Sequence, residues 1–219
     1  MLSRSRSRLA LTAVLLAAAA GLAAQTATIR NHFDSDTPMR PPGYFDFAVL
    51  GSPAQAQWTV LADFNVPSAP NQVTQTGMQR PADSVAAALR RNVLLKDGRL
   101  SVGLRKGSGQ GGVVLRMAGE KDFLLLLVDL ETGQARLSSY SGGKATELAR
   151  GRAELDRAWS ILSLAASGPR IVAQWDGRPL LEASDPRPAS GRTGLATAGA
   201  GAVSFDELTI EPAETTPSL

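Results

Sequence analysis

GGVVLRMAGEKDFLLLLVDLETGQARLSSY, residues Gly111 to Tyr140, is the stretch that decides the fold class. Its middle run, Phe123 to Val128, holds six apolar residues between charged neighbours. Such a run is far shorter than the roughly 20 residues of a membrane-spanning helix. It is also too short for a typical globular helix. It suits a β-strand that is covered on both faces, which predicts a central position in a layered β structure.

Apolar and polar residues alternate along much of the chain outside this run. Leu100, Val102 and Leu104 share one face of a predicted strand, and the same period of two recurs in Val113 to Met117 and in Ala135 to Tyr140. Glycine-containing turns separate these runs, and helical patterns are almost absent. The pattern predicts an all-β fold, an antiparallel jelly-roll β-sandwich.

Two stretches are read from local signals alone. Asn65 to Asn71, NVPSAPN, contains two prolines and predicts a loop. SVAAALRR, which ends at Arg91, fits a short helix, but Val85, Ala87 and Leu89 also alternate as in a strand. Both interpretations of that second stretch stay open.

Residues 1–24 are typical of a secretory signal peptide. Arg4, Arg6 and Arg8 precede an apolar, alanine-rich run from Leu9 to Leu22, and small residues follow up to Ala24. The alternative is an uncleaved anchor, but the run is shorter than the roughly 20 residues that span a bilayer. We therefore expect a secreted or periplasmic protein without a stable membrane span after cleavage. Its domain would cover residues 25–211, followed by a loose tail at 212–219.

Charge and cysteine content exclude two classes of function. The net charge of +3 equals the three arginines of residues 1–24, so the rest of the chain is balanced. No cluster of lysine and arginine remains to bind nucleic acid. The chain has no cysteine, which excludes disulfides and thiolate metal sites.

Few residues of the chain carry catalytic chemistry. His32 is the one histidine, and no G-x-S-x-G motif is present. Gly107 to Gly112 match G-x-G-x-x-G, but the strand pattern that follows predicts a hairpin turn instead of a phosphate-binding helix. Glu120 to Asp122 and Glu154 to Asp156 have a spacing that would place two acids on one strand face, yet they lie in predicted turns. We interpret these acids as solvated.

Aspartates of the first and last predicted strands predict a calcium site. Asp34 and Asp36 end the first predicted strand, and Asp206 lies within the last one; Asp34 and Asp206 are the predicted ligands. The first and last strands of a sandwich are commonly neighbours, and carboxylate oxygens are ligands that Ca²⁺ prefers. The alternative is that both side chains cap turns or accept hydrogen bonds from backbone amides.

A series of short segments extends, in order, through nearly the whole chain. They are FDSD at 33–36, WTVLAD at 58–63, PSAPNQV at 67–73, GVVLR at 112–116, DF at 122–123, Trp159, WDGR at 175–178, GL at 194–195 and FDEL at 205–208. Together they resemble the secreted bacterial concanavalin A-like lectin/glucanase domains, and are similar to 3-keto-disaccharide hydrolase-like and laminin-G-like domains. The resemblance implies a jelly roll whose concave sheet binds a sugar.

The predicted ligand-binding residues are Arg116, Asp129, Arg136 and Tyr140. Arg116 is kept from the family pattern, and Tyr140 beside Arg136 is the aromatic residue we expect to be exposed. Relatives tend to have an N-Y-Y-x-x-R run where this chain reads DFLLLL at 122–127, so leucines replace polar groups of the sugar site. This difference favours a protein without catalysis.

Three functions follow from these observations. The first is a secreted non-catalytic module that binds a carbohydrate or another envelope or extracellular partner. The second, from the resemblance, is a glycoside hydrolase related to 3-keto-disaccharide hydrolases, whose activity would depend on Arg116 or Asp129. The third is a structural or interaction domain without a sugar ligand, in which a partner covers the apolar outer face of the central strand. That strand has Leu124, Leu126 and Val128 on one side and Leu125 and Leu127 on the other.

Overall fold

A computed structural model describes residues 27–52, 54–76, 83–186 and 189–213. The predicted signal peptide lies outside these residues, as do residues 214–219 of the predicted tail. In the described part of the chain, no helical segment has the length and apolarity that crossing a bilayer requires.

The described residues form fifteen β-strands joined by short connections. In chain order they are β1 (Ile29–Asn31), β2 (Phe45–Leu50), β3 (Gln57–Ala62), β4 (Asn71–Thr76), β5 (Val85–Leu95), β6 (Gly98–Arg105), β7 (Gln110–Gly119), β8 (Asp122–Asp129), β9 (Gln134–Ser141), β10 (Lys144–Arg152), β11 (Trp159–Ser167), β12 (Arg170–Trp175), β13 (Arg178–Ser184), β14 (Gly191–Ala198) and β15 (Val203–Pro212). The last strand ends one residue beyond the predicted domain boundary at 211.

These strands form two antiparallel sheets that pack face to face. Sheet one has the order β13-β12-β11-β6-β15-β4-β3, with β1 paired to β15. Sheet two has the order β10-β9-β8-β7-β14-β5-β2. Strands far apart in the chain, such as β7 and β14, are therefore neighbours, as in a jelly roll. The predicted antiparallel jelly-roll sandwich is confirmed.

The apolar run that predicts the fold forms β8, between β7 and β9 of sheet two. Leu124, Leu126 and Val128 belong to the core between the sheets. Phe123 and Leu125 belong to a second apolar cluster on the outer face of sheet two. The strand is thus covered on both faces, because consecutive side chains point to opposite sides.

At one edge of the sandwich the two sheets meet. Gly151 of β10 lies against β13 so closely that an added Cβ would be 2.2 Å from the carbonyl oxygen of Leu180. Only glycine permits this approach of two backbones. The contact holds β10 against sheet one and fixes the position of its outward side chains.

The structure resolves the stretches that local sequence signals left open and adds two strands that those signals missed. SVAAALRR forms a strand from its second residue onward, since β5 begins at Val85, and Val85, Ala87 and Leu89 belong to the outer cluster. The predicted loop at 65–71 ends where β4 begins, and β4 was missed because its sequence NQVTQT is polar. β10 was missed as well, because most of its residues are exposed and give no apolar period.

Candidate functional site

A groove with a volume of about 420 Å³ crosses the outer face of sheet two. Side chains from β5, β7, β8, β9, β10 and β14 line it. Its floor is apolar and is formed by Val85, Leu125, Leu127 and Ala198. Polar side chains surround this floor, and three of them, Asp129, Arg136 and Tyr140, are among the predicted ligand-binding residues.

Strand β9 supplies one polar wall of the groove. Its burial alternates, so that Ala135 and Leu137 enter the core while Gln134, Arg136, Ser138 and Tyr140 line the groove. A period of two produces this division because successive strand residues point to opposite faces. Tyr140 and Arg136 therefore lie on the same face, as their spacing predicts.

Tyr140 forms an aromatic pair in the groove. Its ring stacks on Phe123 with a centroid distance of 4.3 Å and an interplanar angle of 13°. Burial raises the pKa of the Tyr140 phenol, Arg136 lowers it, and Asp83 raises it further. The hydroxyl is therefore neutral at physiological pH and can both donate and accept a hydrogen bond. Tyr140 also borders a separate, smaller hollow of about 130 Å³, whose lining includes Arg116 and Phe123.

Arginines from β9 and β10 form a second feature, the arginine wall, defined by Arg136, Arg150 and Arg152. Arg150 pairs directly with Arg136 across the two strands, and Arg152 pairs with Gln134. Glu147 contacts both members of the first pair, with 3.3 Å between its Oε2 and Nε of Arg136, and a bond from Nε of Arg150 to its Oε1. The hydrogen bond from Arg150 lowers the pKa of Glu147, which is ionised.

Asp129 ends β8 at the rim of the groove. Its carboxylate accepts hydrogen bonds from the backbone N–H groups of Thr132, at 2.8 Å, and Glu131, at 3.1 Å. Burial raises the pKa of Asp129, but the bonds from Thr132 and Glu131 lower it by more, so the net shift is downward. The group is an anionic turn cap at neutral pH. Asp83, across the groove, accepts a hydrogen bond from the hydroxyl of Ser52 at 2.7 Å.

The structure places Arg116, the fourth predicted ligand-binding residue, outside the groove. Its side chain is 2% exposed and forms ion pairs with Asp185 at 2.8 Å and Asp97 at 3.2 Å. It also donates to the carbonyl oxygens of Lys96 and Gly168. These four acceptors occupy the guanidinium, so its geometry is that of a structural link between segments and not of a group that meets a ligand.

The predicted calcium ligands, Asp34 and Asp206, do come together. Ser68 joins them, because its backbone N–H donates to Asp206 at 2.7 Å and its hydroxyl donates to Asp34 at 2.8 Å. Asp206 also accepts from the N–H of Glu207 at 2.7 Å. Burial raises the pKa of Asp206 to about 6, against the lowering effect of these bonds, and the charge of Asp34 raises it further. Within the described ranges, no three acidic or histidine side chains form a metal-binding group.

Sequence reasoning missed Arg150 and Arg152. Both lie on β10, whose pattern KATELARGR has no apolar face to reveal a strand. The available signal was the turn at Ser141 to Gly143, which predicts a hairpin that would bring the next residues beside β9. Gln110 begins β7 and pairs with Asp129 across the β7–β8 hairpin, and Asp83 lies just before β5. Both are single polar residues at strand ends, where no period assigns a face.

Comparisons with solved structures identify the fold. The carbohydrate-binding module CBM66 from Bacillus subtilis is 18% identical with a TM-score of 0.53, and the match covers 74% of this chain and 99% of that module. The exoplasmic/lumenal domain of VIP36, bound to Ca²⁺ and mannose, is 16% identical with a TM-score of 0.59, over 89% of this chain and 93% of that domain. A β-glucanase from Bacillus licheniformis is 8% identical with a TM-score of 0.54, over 87% of this chain and 100% of the enzyme.

The chain thus has the concanavalin A-like jelly-roll fold that the sequence resemblance implies. At these identities the likeness concerns the fold alone. No family model matches the sequence, and no curated protein matches it either.

Proposed function

We propose that the protein is a secreted or periplasmic, non-catalytic module that binds a carbohydrate in the groove of sheet two. The observation that carries this proposal is the Tyr140 ring, stacked on Phe123 beside an apolar floor and a row of polar side chains. Sugars present apolar ring faces as well as hydroxyls, and an apolar pocket with a few convergent polar groups suits them. The fold is shared with a carbohydrate-binding module and with a mannose-bound lumenal domain, which supports the same reading.

The acids in the groove support a role without catalysis. Glycoside hydrolysis uses two carboxyl groups, roughly 5 to 9 Å apart, one of which is an acid whose pKa is raised. The acids that line the groove are Asp83 and Asp129. The pKa of Asp129 is lowered and its oxygens cap a turn. Such a group is poorly suited to donate a proton at neutral pH.

Replacing Tyr140 tests the binding site. We expect Tyr140→Ala to weaken binding to the best ligand of a soluble glycan panel by about tenfold or more, since truncating an aromatic anchor of a binding site typically costs about 2 kcal/mol. Isothermal titration calorimetry would measure the affinity. Tyr44→Ala is the matched control, because Tyr44 is the other tyrosine of the chain and is exposed away from the groove lining. Equal losses in both variants, or a panel without any bound glycan, would contradict the proposal.

A hydrolase assay tests the absence of catalysis. The protein would be incubated with a panel of disaccharides, and released monosaccharides would be measured by chromatography. We expect no turnover above background. Turnover that disappears in Asp129→Asn but persists in Asp156→Asn, a change of an exposed acid outside the groove lining, would replace the binding proposal with the glycoside hydrolase alternative.

Calcium at Asp34 and Asp206 stays a prediction. Ca²⁺ takes 6–8 oxygen ligands, whereas Ser68 and Glu207 already donate to three of the four carboxylate oxygens here. Nearby, Asn71 Nδ2 lies 3.1 to 3.2 Å from three carbonyl oxygens of the loop after β1. The hydrogen bonds already present therefore leave few oxygen atoms free to coordinate Ca²⁺. Melting temperatures in calcium chloride and in EDTA test the site, and a rise with calcium that Asp34→Asn abolishes would establish it.

A further inference from the structure

The arginine wall is an unfavourable arrangement for a sheet without a ligand. Arg136 and Arg150 are direct cross-strand partners, and like charges in that position destabilise a sheet. Arg152 adds a third positive charge two residues further along β10. Glu147 neutralises one of the three charges. The wall therefore carries excess positive charge at the side of the groove.

These arginines also retain hydrogen-bonding capacity. Arg136 and Arg150 contact Glu147 through Nε, and no described residue accepts from their terminal Nη groups, which are therefore available to an acceptor on a ligand. Arg152 is exposed, and its guanidinium has no hydrogen-bond or ion-pair partner among residues of the described ranges. Guanidinium groups bind a carboxylate in a planar, two-pronged geometry that gives both strength and specificity.

We propose that the carbohydrate bound in the groove is acidic, and that the arginine wall binds the ring carboxylate of a uronic acid. This inference rests on the proposed function and names its ligand class. Arg150 and Arg152 would provide the carboxylate contact, and Arg136 would complete the positive wall.

The positions of Tyr140 and Arg136 imply that the ligand is an oligomer. They lie four residues apart on one face of β9, which corresponds to roughly 13 Å along a strand. One sugar ring would stack on Tyr140 while an acidic ring of the same chain reaches the arginines. Asp129 lies on the β8 side of the wall, since Leu127 pairs with Arg136 and Asp129 is two residues further along β8 on the same face. Its negative charge repels a carboxylate on that side, so the acidic ring is directed to Arg150 and Arg152 on β10.

A matched pair of ligands tests the inference. Oligogalacturonate and its fully methyl-esterified form differ in the carboxylate charge but share the same sugar chain. Calorimetry at low salt would measure both affinities, with a neutral glycan panel and dextran sulfate in parallel. We expect the free acid to bind about tenfold or more tightly than the ester, and the difference to shrink at high salt because exposed charges are screened.

Arginine variants connect this preference to the wall. We expect Arg152→Gln and Arg150→Gln each to reduce affinity for the acid about tenfold and to reduce affinity for the ester by a much smaller factor. Arg170→Gln is the control, since it removes an equally exposed arginine, paired with Glu182, from sheet one. The melting temperature of Arg152→Gln should stay equal or rise, because it removes a like charge and breaks no ion pair. That of Arg150→Gln should change little, since the relief of like charge offsets the loss of its exposed pair with Glu147. A purely structural role would lower both melting temperatures.

The outcomes separate the two proposals. Equal binding of acid and ester, or binding of neutral glycans alone, would overturn the acidic ligand and leave carbohydrate binding intact. Binding of dextran sulfate without oligogalacturonate would overturn the assignment to a carboxylate. Failure of every glycan to bind would overturn the proposed function itself. A preference for the acid that the wall variants do not change would also refute the role of the arginines.

Discussion

The guanidinium of Arg116 joins β7 to three other segments of the chain. Its acceptors belong to the turn before β6, the turn after β11 and the residue that follows β13. The link therefore extends from sheet two to connections of sheet one. Asp97 strengthens it, because the same carboxylate accepts the backbone N–H of Gly168 at 2.8 Å.

Arg116→Gln should destabilise the protein severely. Removing one partner of a buried ion pair costs about 3–5 kcal/mol because the other charge is left uncompensated, and the Asp185 side chain is 4% exposed. Urea unfolding at neutral pH would measure the loss, and Arg116→Gln combined with Asp185→Asn should recover part of it. Arg178→Gln, which breaks an exposed pair with Glu154, is the control and should change stability by at most about 1 kcal/mol. Equal effects of both single changes would show that the link contributes little.

Asp206 should make stability depend on pH. Its pKa in the folded protein is raised to about 6 from 3.8. A raised acid pKa stabilises the folded state at low pH, and this contribution is lost as pH rises through about 6. Between pH 4 and 7.5 we expect the wild type to lose up to about 3 kcal/mol relative to Asp206→Asn.

Urea unfolding of both proteins at several pH values would measure this difference. The comparison with the variant is necessary, because carboxylates with lowered pKa values, such as Asp63 and Glu182, contribute stability that is lost as pH falls. Asp34→Asn should reduce the upward pKa shift of Asp206 only in part, since burial of Asp206 is the main cause of that shift. Parallel curves for wild type and Asp206→Asn would disprove the expectation.

At the scale of the strand, β7 and β8 require a close approach at Gly112. A Cβ at Gly112 would lie 1.9 Å from the carbonyl oxygen of Leu126. Gly112→Ala should therefore push the two strands apart and cost about 1–3 kcal/mol, as overpacking typically does. Gly119→Ala in the same strand is the control, because nothing lies within 4 Å of its added Cβ. Thermal unfolding would compare the melting temperatures of the two variants. An unchanged melting temperature in Gly112→Ala would mean that the sheet relaxes to accommodate the methyl group.

The same strand explains why Arg116, a predicted ligand-binding residue, lies outside the groove. The alternation in 113–117 predicts that Met117 shares a face with Val113 and Leu115, yet Met117 packs in the outer cluster with Val114. Arg116 has a φ of 53°, and the pairing with β8 shifts between Leu115 and Gly119. This bulge turns Arg116 away from the groove. A positive φ at a non-glycine residue is uncommon and has no sequence signature here.

Other elements were predictable because their signals are local. Six consecutive apolar residues in β8 and the alternation in β9 are sufficient to place Tyr140 and Arg136 on one outer face. The positions of Arg150 and Arg152 could not be predicted, since they depend on the register between β9 and β10 and on contact with β13. Polar edge strands lack the apolar period that predicts a face.

For the whole molecule, export is the property to test. We expect cleavage after Ala24, which removes all the excess positive charge. Intact-mass spectrometry of protein recovered from the periplasm or medium should give a chain that starts at Gln25. Isoelectric focusing should give a value well below the 9.7 calculated for the whole chain. Leu15→Arg, which interrupts the apolar run, should block export. A full-length chain in the membrane fraction would favour the uncleaved anchor.

The pairing of β1 with β15 has a practical consequence. Ile29 lies opposite Ile210, so the polypeptide enters and leaves the sandwich side by side on sheet one. The groove opens on sheet two, at the far side. A tag, a solid support or a fused domain attached before β1 or after β15 would therefore present the groove to solution. Immobilisation through either terminus should give the same ligand affinity, so the domain can be displayed from both ends without redesign.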